Sequence, residues 1–241
     1  MIERIKGAFA RHAQSYTQEA QAQRQVAQKL AQMMHRHVPA HPRILEAGHG
    51  TGFLTRHLIN LAPKEIWLND LIPPPPDQDW PSQTHVMTGD ISYLPLPSRL
   101  DLICSASMLQ WITDPGDLLA RFCNALSQQG ILAVSSFGPQ NFHELIAFGL
   151  DQGAPSYLDA AGLAAALPHD MKVLHSLDAK IQLRFSSARH LFAHLRATGV
   201  NGYRGGRLTI PALKGLMHQM NTCASLTLTY RPSYCIAQKA S

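Results

Sequence analysis

The densest group of residues able to hold a ligand is Glu46-Ala47-Gly48-His49-Gly50-Thr51-Gly52, directly after the apolar run Ile44-Leu45. Glycines at alternate positions let the backbone turn sharply and come close to a bound molecule. A dinucleotide fold would space them G-x-G-x-x-G and set a pyrophosphate on the following helix N-terminus. Here the spacing is G-x-G-x-G, and Glu46 stands two positions before the first glycine. A carboxylate there suits a cationic group and repels a pyrophosphate. The pattern argues against NAD and for S-adenosylmethionine, which carries an ammonium and a sulfonium.

Further polar residues recur at matching places. Asp70, with Leu71 beside it, ends the run Glu65–Asn69 about twenty residues after the loop. A carboxylate there can accept both hydroxyls of a ribose. Gly89-Asp90-Ile91 follows the run Thr84–Thr88. Asp90 is a candidate acceptor for an adenine amino group, with Ile91 against the ring. Ser105-Ala106 ends Leu100–Ser105, beside the place for the methionyl part. Glu46, Gly48, Gly50, Gly52, Asp70, Leu71, Asp90, Ile91 and Ser105 are therefore the expected cofactor residues.

The elements that must position them are legible from periodicity. Between Ser15 and Pro39 there is no Gly or Pro, and Val26, Leu30, Met33 and Met34 recur at helical spacing. Arg43–Ala47 predicts a strand; Phe53, Leu54, Leu58 and Leu61 mark the buried side of the helix after it. Glu65–Asn69, Thr84–Thr88, Leu100–Ser105 and Gly130–Phe137 predict four more strands. Pro73 to Pro76 make a stiff loop. Asp114-Pro115 predicts the capped start of a helix running to about Leu126. This alternation has βαβ spacing and implies a parallel sheet wound right-handedly. After Phe137 the rhythm changes. Asn141–Phe148, Leu158–Leu167, Ser187–Ala197 and Pro211–Asn221 read as helices, and Lys172–Phe185 is strand-like in part. Leu226–Ala237 reads as a closing β segment interrupted by Pro232. The expected organisation is a helical segment over 1–40 that covers the cofactor site and a Rossmann-like cofactor-binding core over 41–138. A cap with later core helices over 139–222 and a closing β segment over 223–241 complete it. The cap is expected over the carboxyl edge of the sheet.

The 241 residues suit one α/β core with an added cap, and 45% hydrophobic against 15% charged residues is globular composition. No apolar run approaches the roughly 18 residues of a membrane span. The opening MIERIKGAFARHAQSY has no continuous apolar core, so a secretory signal is not expected. A cytoplasmic monomer is the expectation. None of Cys104, Cys123, Cys223 and Cys235 forms a C-x-x-C pair, which fits reduced, packed thiols. The thirteen histidines include no H-E-x-x-H, and no metal is expected. A net charge of +5 without a basic run gives no nucleic-acid signature, only a weak attraction for an acidic partner.

At these residues the chain resembles class I methyltransferases: LEAGHGTG, Asn69-Asp70, Gly89-Asp90 and DLICSASMLQW over 101–111. It resembles most the biotin-pathway malonyl-[acyl-carrier protein] O-methyltransferases. That resemblance rests on Phe9-x3-Ala13-x2-Tyr16-x3-Ala20-x2-Gln23, Gln110-Trp111 with Asp114, and Ser136-Phe137-Gly138-Pro139-x-Asn141-x-x-Glu144-Leu145. It rests also on Phe185-Ser186-Ser187, the stretch His194–Asn201, and Thr229-Tyr230. Two departures stand out: His49 where the family loop has Cys, and Arg231-Pro232 after Thr229-Tyr230.

The resemblance implies O-methylation of the free carboxylate of malonyl-acyl-carrier protein (or malonyl-CoA), an early step of pimeloyl and biotin synthesis. S-adenosylmethionine would be the donor and S-adenosylhomocysteine the product. A carboxylate is already ionised at pH 7 and needs no general base, so catalysis would be by alignment and exclusion of water. Tyr16, Gln110, Trp111 and an arginine of the cap are the candidates for positioning the substrate, Tyr16 also for contacting the cofactor. Arg184, Arg189, Arg196, Arg204 and Arg207 are candidates for docking an acidic carrier. Two alternatives stay open: a methyltransferase for a small free acid of the trans-aconitate type, and an assembly factor that binds cofactor without methylating.

Overall fold

The computed structural model describes residues 7, 16, 19–74, 80–150, 154–198, 209–223 and 225–240. Phe9, Ala13, Arg204, Arg207 and the stretch 199–201 lie outside the described residues. The chain divides into two compact units. One takes Ala22–Gly138, Pro155–Ala179 and Pro232–Ser241; the other takes Met1–Gln21, Pro139–Ala154 and Lys180–Arg231.

The first unit is built on strands β1 (Arg43–Ala47), β2 (Glu65–Asp70), β3 (Thr84–Thr88), β4 (Leu100–Ala106), β5 (Leu126–Phe137), β6 (Met171–Asp178) and β9 (Pro232–Lys239). Their order is β3-β2-β1-β4-β5-β9-β6. Strands β1 to β5 pair in parallel, and β9 is antiparallel to both neighbours. The order reverses between β1 and β4. At such a reversal the loops leaving the two carboxyl ends diverge and open a crevice, which is where open α/β sheets bind ligands. Ile44, Leu45, Leu102 and Ile103 are fully buried. Strands covered on both faces read as continuous apolar runs, as these do.

Two longer helices belong to this unit. In α1 (Gln21–Met34) Ala22, Val26, Leu30 and Met34 are buried at four-residue intervals, one stripe of a helix. In α3 (Pro115–Ala125) Asp114 caps the start by accepting from the Asp117 N–H, and Pro115 occupies the first turn. Its Leu118, Leu119, Phe122 and Cys123 join Leu45, Ile103, Leu132 and Val134 in one apolar cluster. Truncating a buried side chain such as Phe122 to Ala would cost about 3–5 kcal/mol. The helix after the glycine loop, α2, is short, Thr55–Ile59, and buries Leu58.

The second unit pairs β7 (Ile181–Phe185) with β8 (Leu226–Tyr230) in an antiparallel ribbon. It also carries α4 (His143–Ala147), α6 (Ala188–Ala197) and α7 (Ile210–Asn221), while α5 (Ala160–Ala165) belongs to the first unit. Glu144 of α4 ties down β8. It accepts from the Thr229 N–H at 3.0 Å and from the hydroxyls of Thr229 at 2.5 Å and Thr227 at 3.4 Å. Asn141 accepts from the Arg231 N–H at 3.0 Å.

One expectation needs correction. Leu226–Ala237 is not one closing segment of the core: it is two strands in two sheets, separated at Arg231. Pro232 has no N–H for a ladder and is tolerated as the first residue of a strand; its carbonyl accepts from the Ala179 N–H at 2.8 Å. The stretch 139–222, read as a cap with later core helices, also contributes a strand to the core: its Met171–Asp178 is the edge strand of the large sheet. Local pattern could not assign either strand to a sheet.

Candidate cofactor site

The carboxyl ends of β1, β2 and β4 bring together most of the residues singled out from the sequence. The glycine loop leaves β1 and is pinned from the side by β2. Gly48 N–H and His49 N–H both donate to the Asn69 carbonyl at 2.9 Å, and Gly50 N–H donates to Asp70 Oδ2 at 2.9 Å. Gly48, Gly50 and Gly52 have φ of +74°, +53° and +80°, the region that side chains with a Cβ disfavour. At Gly48 the constraint is also steric: a Cβ would lie 2.7 Å from Met108 Cγ, in the loop after β4.

Glu46 is the last but one residue of β1 and only 1% exposed. Thr55 Oγ1 donates to its Oε2 at 2.7 Å. Burial pushes its carboxyl up to about 8, against the Thr55 hydrogen bond and helped by the nearby Asp70 charge. At neutral pH it is a neutral acid in an apolar strand, and a cation beside it would draw its proton off.

Asp70 keeps both oxygens at the rim of the loop. Oδ2 holds Gly50 and Oδ1 accepts from the Ile72 N–H at 3.2 Å. Each carboxylate oxygen has a second lone pair for a hydroxyl donor. Leu71 beside it is half-buried. Asp90 is half-buried and turns the chain after β3 by accepting from the Ser92 N–H at 2.9 Å. Ile91, 3% exposed, belongs to the apolar cluster. Ser105 is fully buried, and its hydroxyl donates to the Ala47 carbonyl at 2.8 Å, bracing β4 against the base of the loop. Gln110 is 5% exposed and donates to the Ser107 carbonyl at 2.6 Å; Trp111 follows it, half-buried. Tyr16 is described in the other unit, where its carbonyl accepts from the Ala20 N–H. Arg184, Arg189 and Arg196 are exposed there, the last two spaced for one face of α6.

Several contributors escaped the sequence reading. Asn69 is 3% exposed, and its amide donates to the carbonyls of Met87 and Gly89, so it joins the glycine loop to the end of β3. An Asn inside an otherwise apolar strand was the available signal. Arg121 donates to the carbonyls of Ile91, Ser92 and Leu94 and holds the Asp90 turn. Trp80 would meet a Cβ on Gly52 at 3.2 Å.

Both ring nitrogens of His49, Thr51 Oγ1, Trp80 Nε1, Ser107 Oγ and Gln110 Oε1 are buried without a protein hydrogen-bond partner. Burial lowers the His49 pKa, against the nearby Asp70 charge. Such unpaired groups are uncommon in folded proteins, and these follow the ends of β1, β2 and β4. With Glu46, Asp70 and the close-approach glycines, they make an environment that fits S-adenosylmethionine: a cationic methionyl end, a ribose diol and a polar base. A bound pyrophosphate would face both carboxylates.

Comparison with known proteins agrees with this geometry. Residues 45–134 match the family described as a methyltransferase domain. Malonyl-[acyl-carrier protein] O-methyltransferase of Bacteroides thetaiotaomicron is 32% identical over 96% of this chain and 95% of its own length. The protein of the same name from Acinetobacter baylyi is 32% identical over 97% and 95%. Among solved structures, the 1,6-didemethyltoxoflavin-N1-methyltransferase of Burkholderia thailandensis, which holds S-adenosylhomocysteine, aligns with a TM-score of 0.56. It covers 97% of this chain and 87% of its own at 16% identity, which speaks to the fold alone.

Proposed function

The chain belongs to the malonyl-[acyl-carrier protein] O-methyltransferase family, and we propose that it methylates the free carboxylate of a malonyl group carried as a thioester on acyl-carrier protein. The reaction is an early step of pimeloyl and biotin synthesis. The observation that carries this reading is full-length similarity to relatives of that name, together with an intact Glu46–Gly52 loop. S-adenosylmethionine, when bound, supplies an electrophilic methyl on sulfur. The protein's part is to hold and align. Glu46 balances the methionyl cation, Asp70 takes the ribose, and Asp90 with Ile91 takes the adenine. Gln110 and Trp111, straight after β4, position the acyl group. A malonyl carboxylate is anionic at pH 7, so no side chain has to remove a proton. Placing oxygen, methyl and sulfur in line and keeping water out supplies the rate. The exposed Arg184, Arg189 and Arg196 are the proposed docking residues for an acidic carrier, and Tyr16 a further proposed contact to cofactor and substrate. Among the described residues no helix is long and apolar enough to cross a membrane.

The test is transfer of labelled methyl to malonyl-acyl-carrier protein, malonyl-coenzyme A and free aconitate side by side. Base-labile label on the carrier substrate is the expected result. Label on aconitate alone would make the enzyme a small-acid methyltransferase. Cofactor binding with no transfer to any acceptor would reject the enzymatic reading.

A further inference from the structure

A single 3-10 turn, His35–His37, continues α1. Its last residue meets the edge strand of the large sheet. His37 Nε2 lies 3.0 Å from His175 Nε2 of β6, with ring centroids 5.1 Å apart and ring planes at 50°. Both residues belong to the first unit, and both are half-buried. The pairing of β6 with β9 shifts register between Val173 and His175, and such an irregularity re-aims a side chain. The two histidines stand 138 residues apart in the chain, so no spacing motif could announce them.

Two imidazoliums at that distance would repel. The contact needs at least one neutral ring, whose lone pair accepts the Nε2–H of the other. The surroundings favour the uncharged pair. Partial burial, the facing His175 and the Arg36 charge together hold the His37 pKa below its ordinary 6.5. Among the described residues neither ring is ion-paired with a carboxylate.

A neutral imidazole is the form that ligates a metal, and this pair already has the spacing of a chelate. Two nitrogens each about 2.0–2.1 Å from one ion, at a bond angle of about 90–110°, lie about 2.9–3.4 Å apart. The separation of 3.0 Å falls in that range, so an ion can take the place of the shared proton after small turns of both rings. Imidazole selects borderline ions such as Zn²⁺, Ni²⁺ and Cu²⁺ over Mg²⁺ and Ca²⁺, which take oxygen. No third His, Cys, Asp or Glu among the described residues completes the group. Water would fill the remaining positions, which makes the site open and exchangeable instead of a closed structural centre.

We propose that His37 and His175 form a two-histidine site for a divalent transition-metal ion, which clamps the turn after α1 to the edge strand β6. The proposal is independent of the methyl-transfer reading, because neither residue is assigned to cofactor or substrate.

The experiment titrates metal-stripped wild type, H37Q, H175Q and the neighbouring control H35Q with Zn²⁺, Ni²⁺ and Mg²⁺ by calorimetry. The chain has thirteen histidines, so the tightest step is the one compared. Wild type and H35Q should bind one equivalent of Zn²⁺ or Ni²⁺ in that step and show no such step with Mg²⁺. H37Q and H175Q each keep one ligand of two and should weaken it by at least about tenfold, no less than the loss of an outer-shell partner. Wild-type affinity should fall from pH 7.5 to pH 5.5 as protons compete for both nitrogens. Zn²⁺ should also protect His37 and His175 of wild type from diethylpyrocarbonate, located by peptide mass spectrometry, a readout that needs no variant to fold. A wild type without a saturable step overturns the proposal. So does an unchanged step in H37Q and H175Q, or protection of other histidines only, since either puts the metal elsewhere.

Discussion

The buried Glu46 makes the cofactor-free protein lose stability as pH rises, and Glu46→Gln should remove that loss. Unfolded, the carboxyl has its ordinary value of 4.5; folded, burial pushes it up to about 8. Below pH 4.5 it is protonated in both states and the neutral acid's contribution is fully present. Above that, the unfolded chain releases its proton first, and stability falls by about 1.4 kcal/mol per pH unit until the folded group ionises near pH 8. The total is roughly 5 kcal/mol, an upper figure because relaxation around a fully buried acid absorbs part of it. Gln keeps an acceptor for the Thr55 hydroxyl, 2.7 Å from Glu46 Oε2, and cannot ionise. Urea unfolding of both proteins at pH 5, 6.5 and 8 follows the effect, since the two differ in a single titratable group. The gap between the curves should change by several kcal/mol in favour of Gln from pH 5 to pH 8. Parallel curves would refute the reasoning. The same linkage bears on the cofactor: ionised Glu46 is the partner of its cation, so wild-type affinity should rise up to about tenfold per pH unit below 8. That of E46Q should be weaker and free of this dependence.

Gly48→Ala should cost more than Gly50→Ala. The first meets Met108 Cγ at 2.7 Å as well as a φ of +74°, whereas a Cβ at Gly50 has only a φ of +53° to contend with. About 1 kcal/mol is expected at Gly50 and about 2–3 kcal/mol at Gly48. Equal urea midpoints would dissolve the steric argument. Glu144→Ala should destabilise the second unit by about 2–3 kcal/mol, through the unpaired Thr229 N–H and hydroxyl. Burial pushes the Glu144 carboxyl up, but the Thr229 hydrogen bonds outweigh it and hold it below its ordinary 4.5. Its stabilisation is therefore present above pH 4.5 and fades as pH falls through the lowered value. Melting curves of wild type and variant should converge in acid; a gap independent of pH would count against the clamp.

What the sequence determined by itself is the local and the chemical. The alternation of apolar runs with Gly, Pro and Asp punctuation predicted β1 to β5 and the capped helix at Pro115, because strand and helix periods and turn chemistry are properties of neighbouring residues. Glu46, the three glycines and Asp70 were legible for the same reason: a cationic ligand and a tight turn constrain residue types at short spacing. Tertiary structure decided the rest. Only strand order sets β1 beside β4 and opens the crevice between them. Only long-range pairing sends Leu226–Tyr230 and Pro232–Lys239 to different sheets, since two strands with the same pattern can satisfy their backbones against different partners. Burial, which makes Glu46 a neutral acid, depends on distant segments closing round a residue. Residue type and spacing do not encode that enclosure; the folded chain supplies it.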